Sequence, residues 1–204
     1  MGKLFVISAP SGTGKTSLIE SAFADPKSSR TKLGISCTTR EKRPKEEHGV
    51  SYFFISQQEF VNKINKNEFL EYAEVFGNLY GTPKDWVLSV LEEGKNVILE
   101  LDIQGALQVK EAFPEAKTIF IIPPSYEDLS NRLEKRAQDP PEEIKTRLKE
   151  ARKEVGIGKD FDQIIVNNDF DKALDDLKKF IFLNDMPSIE REEESKISLN
   201  LLLD

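Results

Sequence analysis

The chain has 204 residues, 38% of them apolar and 32% charged, which allows one sizeable core and excludes a disordered polypeptide. Its net charge of −7 excludes a general nucleic-acid binder, and no apolar run approaches the ~20 residues of a membrane span. One cysteine, Cys37, permits no internal disulfide, and no basic head with a long apolar stretch opens the chain, so no signal peptide and a cytoplasmic location are expected.

Residues 4–7 read as a strand, followed by a Gly-rich turn and a helix over 15–23. Residues 35–82, rich in Thr, Tyr, Phe, Glu and Gly, read as short strands around one helix at 57–65, with a turn at Gly77-Asn78. This is an insertion with its own small sheet. A helix is expected over 83–93, for which Thr82 could serve as a cap. Residues 97–101 and 118–122 read as buried strands, separated by a helix over 104–112. Two helices follow in 125–156, announced by Ser125 with Asp128 and by Asp139 with Pro140, Pro141 and Glu142. They interrupt the core rhythm as a lid would. A strand over 163–166 and an amphipathic helix over 172–182 complete the core. The tail, 184–204, reads either as a surface helix or as a frayed end.

Short apolar runs alternating with helices predict an α/β fold, a parallel sheet with helices on both faces. The expected organisation is core (1–34, 83–123 and 157–183), insertion (35–82), lid (124–156) and tail (184–204).

The sharpest chemical signal is Ser8-Ala9-Pro10-Ser11-Gly12-Thr13-Gly14-Lys15-Thr16-Ser17, placed between a strand and a helix. Gly12 and Gly14 let successive N–H groups point inward at a phosphate. Lys15 adds a mobile cation, Thr16 a hydroxyl for Mg²⁺, and the helix start free N–H groups. Ala9 replaces the usual first glycine, so φ at residue 9 is expected to be negative. This P-loop points to the phosphates of a nucleoside triphosphate and leaves the reaction open. Arg40, Lys42, Arg43 and Lys45 form a small basic cluster that suits either a solvated loop or a small anion.

Further motifs narrow the choice. Ser36-Cys37-Thr38-Thr39-Arg40-Glu41-Lys42-Arg43-Pro44 precedes Glu46-Glu47-His48-Gly49-Val50-Ser51-Tyr52. Then come Glu68-Phe69-Leu70-Glu71, Asn78-Leu79-Tyr80-Gly81-Thr82 and Leu101-Asp102-Ile103-Gln104-Gly105. With the P-loop, over about residues 3–183, these resemble the guanylate kinase family, whose fold is that of a P-loop nucleoside monophosphate kinase. The resemblance implies ATP-dependent phosphorylation of GMP, with Mg²⁺ accompanying ATP and Thr16 as the protein's contribution to the metal. It implies ATP contacts from residues 9–17 (Ala9, Pro10, Ser11, Gly12, Thr13, Gly14, Lys15, Thr16, Ser17) and from Asn168. It puts Glu71, with Asp102, Ser36 and Thr82, on the guanine, and Arg40, Arg43, Tyr52 and Tyr80 on the GMP phosphate. Lys15, Arg43 and the lid residues Arg132, Arg136 and Arg147 are the implied catalytic cations. Glu100 is an alternative to Asp102 at the metal's water shell.

A carboxylate at position 71 suits guanine chemically, because guanine offers N1–H and a 2-amino donor and adenine has no N1–H. Taken alone, Glu71 could equally be a surface strand residue, and Tyr52 and Tyr80 core aromatics. The rival readings are a kinase for another phosphorylated acceptor and a non-catalytic binding module. The expected partners are ATP and GMP, with no nucleic acid or membrane and a homo-oligomer left open.

Overall fold

The computed structural model describes residues 1–75, 77–136 and 140–204, with Arg136 described by its backbone alone. In chain order the first elements are β1 (Leu4–Ser8), α1 (Lys15–Phe23), β2 (Thr31–Leu33), β3 (Cys37–Thr38), β4 (Phe53–Phe54), α2 (Gln57–Asn65), β5 (Phe69–Val75), β6 (Asn78–Pro83) and α3 (Lys84–Glu92). They are followed by β7 (Asn96–Glu100), α4 (Ile103–Ala112), β8 (Lys117–Ile122), α5 (Tyr126–Arg136), α6 (Pro141–Gly158), β9 (Gln163–Val166), α7 (Phe170–Lys178) and α8 (Ile189–Leu203). Five strands form one sheet in the order β2-β7-β1-β8-β9, and four form a second in the order β4-β3-β6-β5. The chain makes two compact units, residues 1–6 with 30–117 and residues 7–29 with 118–204.

In the first unit β2 pairs parallel with β7, Thr31 opposite Asn96 and Leu33 opposite Ile98. The second sheet is mixed. β5 and β6 form an antiparallel hairpin from Phe69–Pro83 to Val75–Asn78, β3 pairs antiparallel with β6, and β3 pairs parallel with β4. Gly77 takes φ 75° in the hairpin turn, a conformation that glycine adopts without strain. Along β5 the buried residues are Phe69, Glu71 and Ala73, the period of two that a half-buried strand imposes. Helix α2 begins with a reciprocal capping box between Ser56 and Glu59, as Glu59 N–H donates to Ser56 Oγ at 3.2 Å and Ser56 N–H to Glu59 Oε2 at 2.8 Å. The helix buries Phe60 on Phe69, ring centroids 4.5 Å apart, beside Cys37. Burying one such ring contributes roughly 2–3 kcal/mol. Cys37 is thus a small core residue.

In the second unit β8 and β9 pair parallel, Ile119 opposite Gln163 through Ile122 opposite Val166. The last five residues of β8 are buried, so the strand reads as a continuous apolar run. Helices α5 and α6 share a cluster of Leu129, Leu133, Ile144 and Ala151. The Ser125 hydroxyl accepts from Asp128 N–H at 3.0 Å, as its position predicts for a cap. The Asp128 carboxylate, placed by the sequence in the capping box, forms an ion pair with Arg132 at 2.5 Å. The expected Asp139 cap lies outside the described residues; α6 has Pro140 at its cap position and a proline in its first turn.

Three places differ from the sequence reading or resolve what it left open. Strand β2 has only three residues, one of them the exposed Lys32, and leaves no periodic signal in the sequence. The helix expected over 172–182 starts earlier, because Asp169 caps it by accepting from Lys172 N–H at 3.1 Å. It gives way to a π turn at Lys179–Leu183, which Asn184 ends at φ 51°. The tail is a helix, capped by Ser188. Among the described residues no helix is long and apolar enough to cross a membrane.

Candidate active site

Two groups of side chains, one in each unit, contain the residues singled out from the sequence. In the first unit, Glu71 on β5 is 3% exposed. Thr82, opposite it on β6, donates its hydroxyl to Glu71 Oε1 at 2.6 Å. Ser36 Oγ lies 3.3 Å from Thr82 Oγ1. Thr82 therefore does not cap α3, whose cap position is Pro83. Asp102, at the end of β7, caps α4 by accepting from Gly105 N–H at 2.9 Å. A Cβ at position 105 would stand 2.6 Å from Glu71 Oε2, so the Glu71 carboxylate rests on a bare glycine. Burial, together with the nearby Asp102 charge, pushes the Glu71 carboxyl up to about 7, against the opposing hydrogen bonds from Thr82. The result is a dry carboxyl ringed by hydroxyls, suited to a ligand edge with two adjacent N–H donors.

On the same sheet, Arg40 donates Nε to the Tyr80 hydroxyl at 3.1 Å and Nη2 to Glu46 Oε1 at 2.6 Å. Its guanidinium lies 5.6 Å from the centre of the Tyr52 ring and 5.9 Å from that of Phe54. Tyr52 and Tyr80 meet edge to face at 5.8 Å. Glu46 Oε2 also accepts the Arg43 N–H at 2.9 Å, while the Arg43 side chain is exposed. One carboxylate thus bridges Arg40 and the Arg43 backbone, an arrangement of donors that also fits a phosphate. The Arg40 partner holds the Glu46 carboxyl below the usual carboxylate range. Burial pushes the Tyr52 phenol up to about 12, so it stays a neutral donor.

In the second unit the P-loop joins β1 to α1. Gly12 and Gly14 have φ of 95° and 90°. A side chain at either would strain the backbone, and at 14 it would meet Asn167 Nδ2 at 2.8 Å. Among the described residues, Asn67 and Asn184 are the non-glycines with positive φ, so φ at Ala9 is negative as expected. Lys15 and Thr16 open α1, with Thr16 and Ser17 exposed in its first turn. Two arginines from α5 and α6 reach the loop. Arg132 donates to the Thr13 carbonyl at 3.4 Å and to the Asn167 carbonyl at 2.8 Å. Arg147 donates Nη1 to Ser11 Oγ at 2.8 Å and pairs through Nη2 with Glu143 at 2.9 Å. The Arg136 side chain lies outside the described residues.

Three residues take part in this arrangement in ways that the sequence did not show. Gly105 stood in a recognised motif, but its need for no side chain depends on Glu71, 34 positions away. Glu46 stood in a recognised motif with no role of its own. Asn167, rather than its neighbour Asn168, is buried against the P-loop and donates Nδ2 to the Thr13 carbonyl at 2.6 Å. Asn168 is exposed, with Nδ2 3.4 Å from Glu194 Oε1.

Comparison with known proteins shows the family. A family model described as guanylate kinase matches residues 1–184. The guanylate kinase of Hahella chejuensis is 52% identical over 177 residues, 87% of this chain and 84% of that protein. That of Vibrio parahaemolyticus is 45% identical over 202 residues, 99% of this chain and 98% of that protein. The crystal structure of guanylate kinase from Anaplasma phagocytophilum superimposes with a TM-score of 0.72 at 31% identity, covering 93% of this chain and 89% of that one. Matched by this family model over residues 1–184 and by these relatives over most of its length, the chain belongs to the guanylate kinase family.

Proposed function

We propose that this protein transfers the γ-phosphoryl group of ATP to GMP, giving ADP and GDP. The observation that carries the reading is Glu71, a carboxyl kept dry by β5 and β6 with Thr82, Ser36, Asp102 and the bare Gly105 around it. Guanine N1–H and its 2-amino group supply the pair of donors that such a carboxylate lacks. Adenine would leave it unpaired, a mismatch that discriminates by ~10⁴ or more. Ser36 and Thr82 supply hydroxyls for the O6 edge, and Asp102 a further acceptor for the amino group. Arg40, Arg43, Tyr52 and Tyr80 receive the GMP phosphate, which takes over the donors that Glu46 now occupies. An arginine's planar fork suits a dianionic phosphate oxygen pair.

In the second unit, backbone N–H groups of the P-loop, Pro10 excepted, and the Lys15 ammonium cradle the triphosphate. Thr16 offers one exposed oxygen in the first turn of α1, a hard donor that fits Mg²⁺. Mg²⁺ held there would neutralise part of the phosphate charge. Glu100 and Asp102 are candidates for its water shell, and Asn168 for the adenine. Arg132, Arg136 and Arg147 neutralise charge that spreads over the γ-phosphoryl oxygens as it moves in line. The acceptor oxygen must come within about 3–3.5 Å of the γ-phosphorus, so closure around the two nucleotides has to bring them together and exclude water. No covalent enzyme intermediate is needed.

The test is ADP release from MgATP with GMP, AMP, CMP, UMP and dTMP offered separately. GMP alone should support rapid turnover, and Lys15→Ala should abolish most of it. Preference for another nucleotide would overturn the reading of Glu71. Absence of turnover in a chain that still binds GMP would favour a binding module.

A further inference from the structure

Helix α8 lies beyond residue 184, where the family match ends. Its buried residues are Arg191, Ser195, Ser198 and Leu202, three of them polar. Buried polar groups require partners, and those of Arg191 and Ser195 converge on Val166. Arg191 is 8% exposed. It donates Nε to Asp176 Oδ2 at 2.7 Å, pairs through Nη1 with Glu194, and donates Nη2 to the Val166 carbonyl at 3.1 Å. Ser195 Oγ accepts the Val166 N–H at 3.3 Å. Asn168 Nδ2 reaches Glu194, and the Tyr126 hydroxyl of α5 donates to the Leu202 carbonyl at 3.0 Å.

Val166 ends β9, the outer strand of its sheet, so its outward backbone groups face no further strand. α8 supplies the missing partners with side chains. The next residue is Asn167, whose N–H donates to the Ile122 carbonyl at 2.9 Å and whose Nδ2 donates to the Thr13 carbonyl of the P-loop. Arg132 bonds the carbonyls of both Asn167 and Thr13. Asn167 also sits so close to Gly14 that no side chain would fit there. Arg191 and Ser195 therefore hydrogen-bond Val166, the peptide link carries on to Asn167, and Asn167 hydrogen-bonds Thr13.

We propose that α8 is a positioning element for the triphosphate: Arg191 and Ser195 fix Val166, so that Asn167 and Arg132 hold the Thr13 carbonyl and with it the shape of the P-loop. This rests on the reading of that loop as the ATP site. Arg191 and Ser195 act through other residues and touch no reacting atom.

The test uses the full-length chain carrying Arg191→Gln or Ser195→Ala, with folding checked by circular dichroism and melting. KM for ATP and for GMP is measured, together with equilibrium affinity for adenylyl imidodiphosphate by calorimetry. Both ATP constants should weaken about tenfold in Arg191→Gln and about threefold in Ser195→Ala, with KM for GMP within about twofold of wild type. A merely structural role would lower melting without separating the two substrates. Folded variants with wild-type ATP constants, or with ATP and GMP constants rising together, would overturn the proposal. Ser195→Ala decides alone if Arg191→Gln does not fold. A wild-type chain that fails to bind the ATP analogue would instead remove the kinase reading, and this proposal with it.

Discussion

At the residue scale, Glu71 should show its burial in its pH dependence. Its carboxyl titrates at about 7 in the folded chain and near 4.5 when unfolded. The native state therefore holds the proton more tightly, and the stability this contributes is complete below pH 4.5 and lost as pH rises through 7. The change is roughly 3 kcal/mol across that window. Denaturant melts of wild type and Glu71→Gln should differ by this amount between pH 4.5 and pH 8, the variant being the flatter. Pairing with guanine needs the ionised form, so apparent GMP affinity should fall about tenfold from pH 8 to pH 6. The Glu71→Gln titration should lack that limb, which separates it from ionisation of the GMP phosphate. Gly105→Ala tests the other side of the same group. Its Cβ would lie 2.6 Å from Glu71 Oε2 and must displace the carboxyl. KM for GMP should rise about tenfold or more while KM for ATP stays put, a split readable in one steady-state experiment.

At the element scale, the proposed ATP site draws on the P-loop and the α5–α6 pair. Gly12 and Gly14 provide the left-handed turns, α1 provides its N-terminus, and α6 brings Arg147 to Ser11. Arg147→Met keeps the stem that packs along the helix and removes the charge. Turnover should fall about 10²–10³-fold, the cost of one electrostatic stabiliser, with a much smaller change in ATP affinity. Equal losses in binding and turnover would assign Arg147 to ground-state binding instead. The elements also show where the sequence was readable. The bounds of α1, α2 and β9 follow from short-range signals: the P-loop glycines, the Ser56–Glu59 box, and an apolar run. Strand β2 and the π turn after α7 have no such signal, because three residues of pairing and a widened last turn are set by packing against neighbours.

At the scale of the whole molecule, two nucleotides binding separate units of one enzyme should stabilise each other's bound state. Each ligand contributes about 2.7 kcal/mol to folding at one hundred times its Kd. GMP together with a non-hydrolysable ATP analogue should raise the melting temperature by more than the sum of their separate shifts, measured at fixed protein concentration. Strict additivity would mean that closure of the two sites is uncoupled.

The sequence by itself determined the parts that depend on neighbours along the chain. The P-loop occupies ten consecutive residues between a strand and a helix, and its chemistry follows from backbone freedom, one lysine and a helix start. The α/β class follows from alternating apolar runs, and the order of the Arg40, Tyr80 and Asp102 motifs carried the family. Tertiary structure decided what depends on residues far apart. Glu71 could have faced water until β6 covered it and Thr82, read as a helix cap, turned its hydroxyl to it. Asn167 became the clamp on Thr13 across 154 positions, and the tail became the support of β9. Burial and hydrogen-bond partners arise only when distant segments pack, and no local pattern of residue types encodes them.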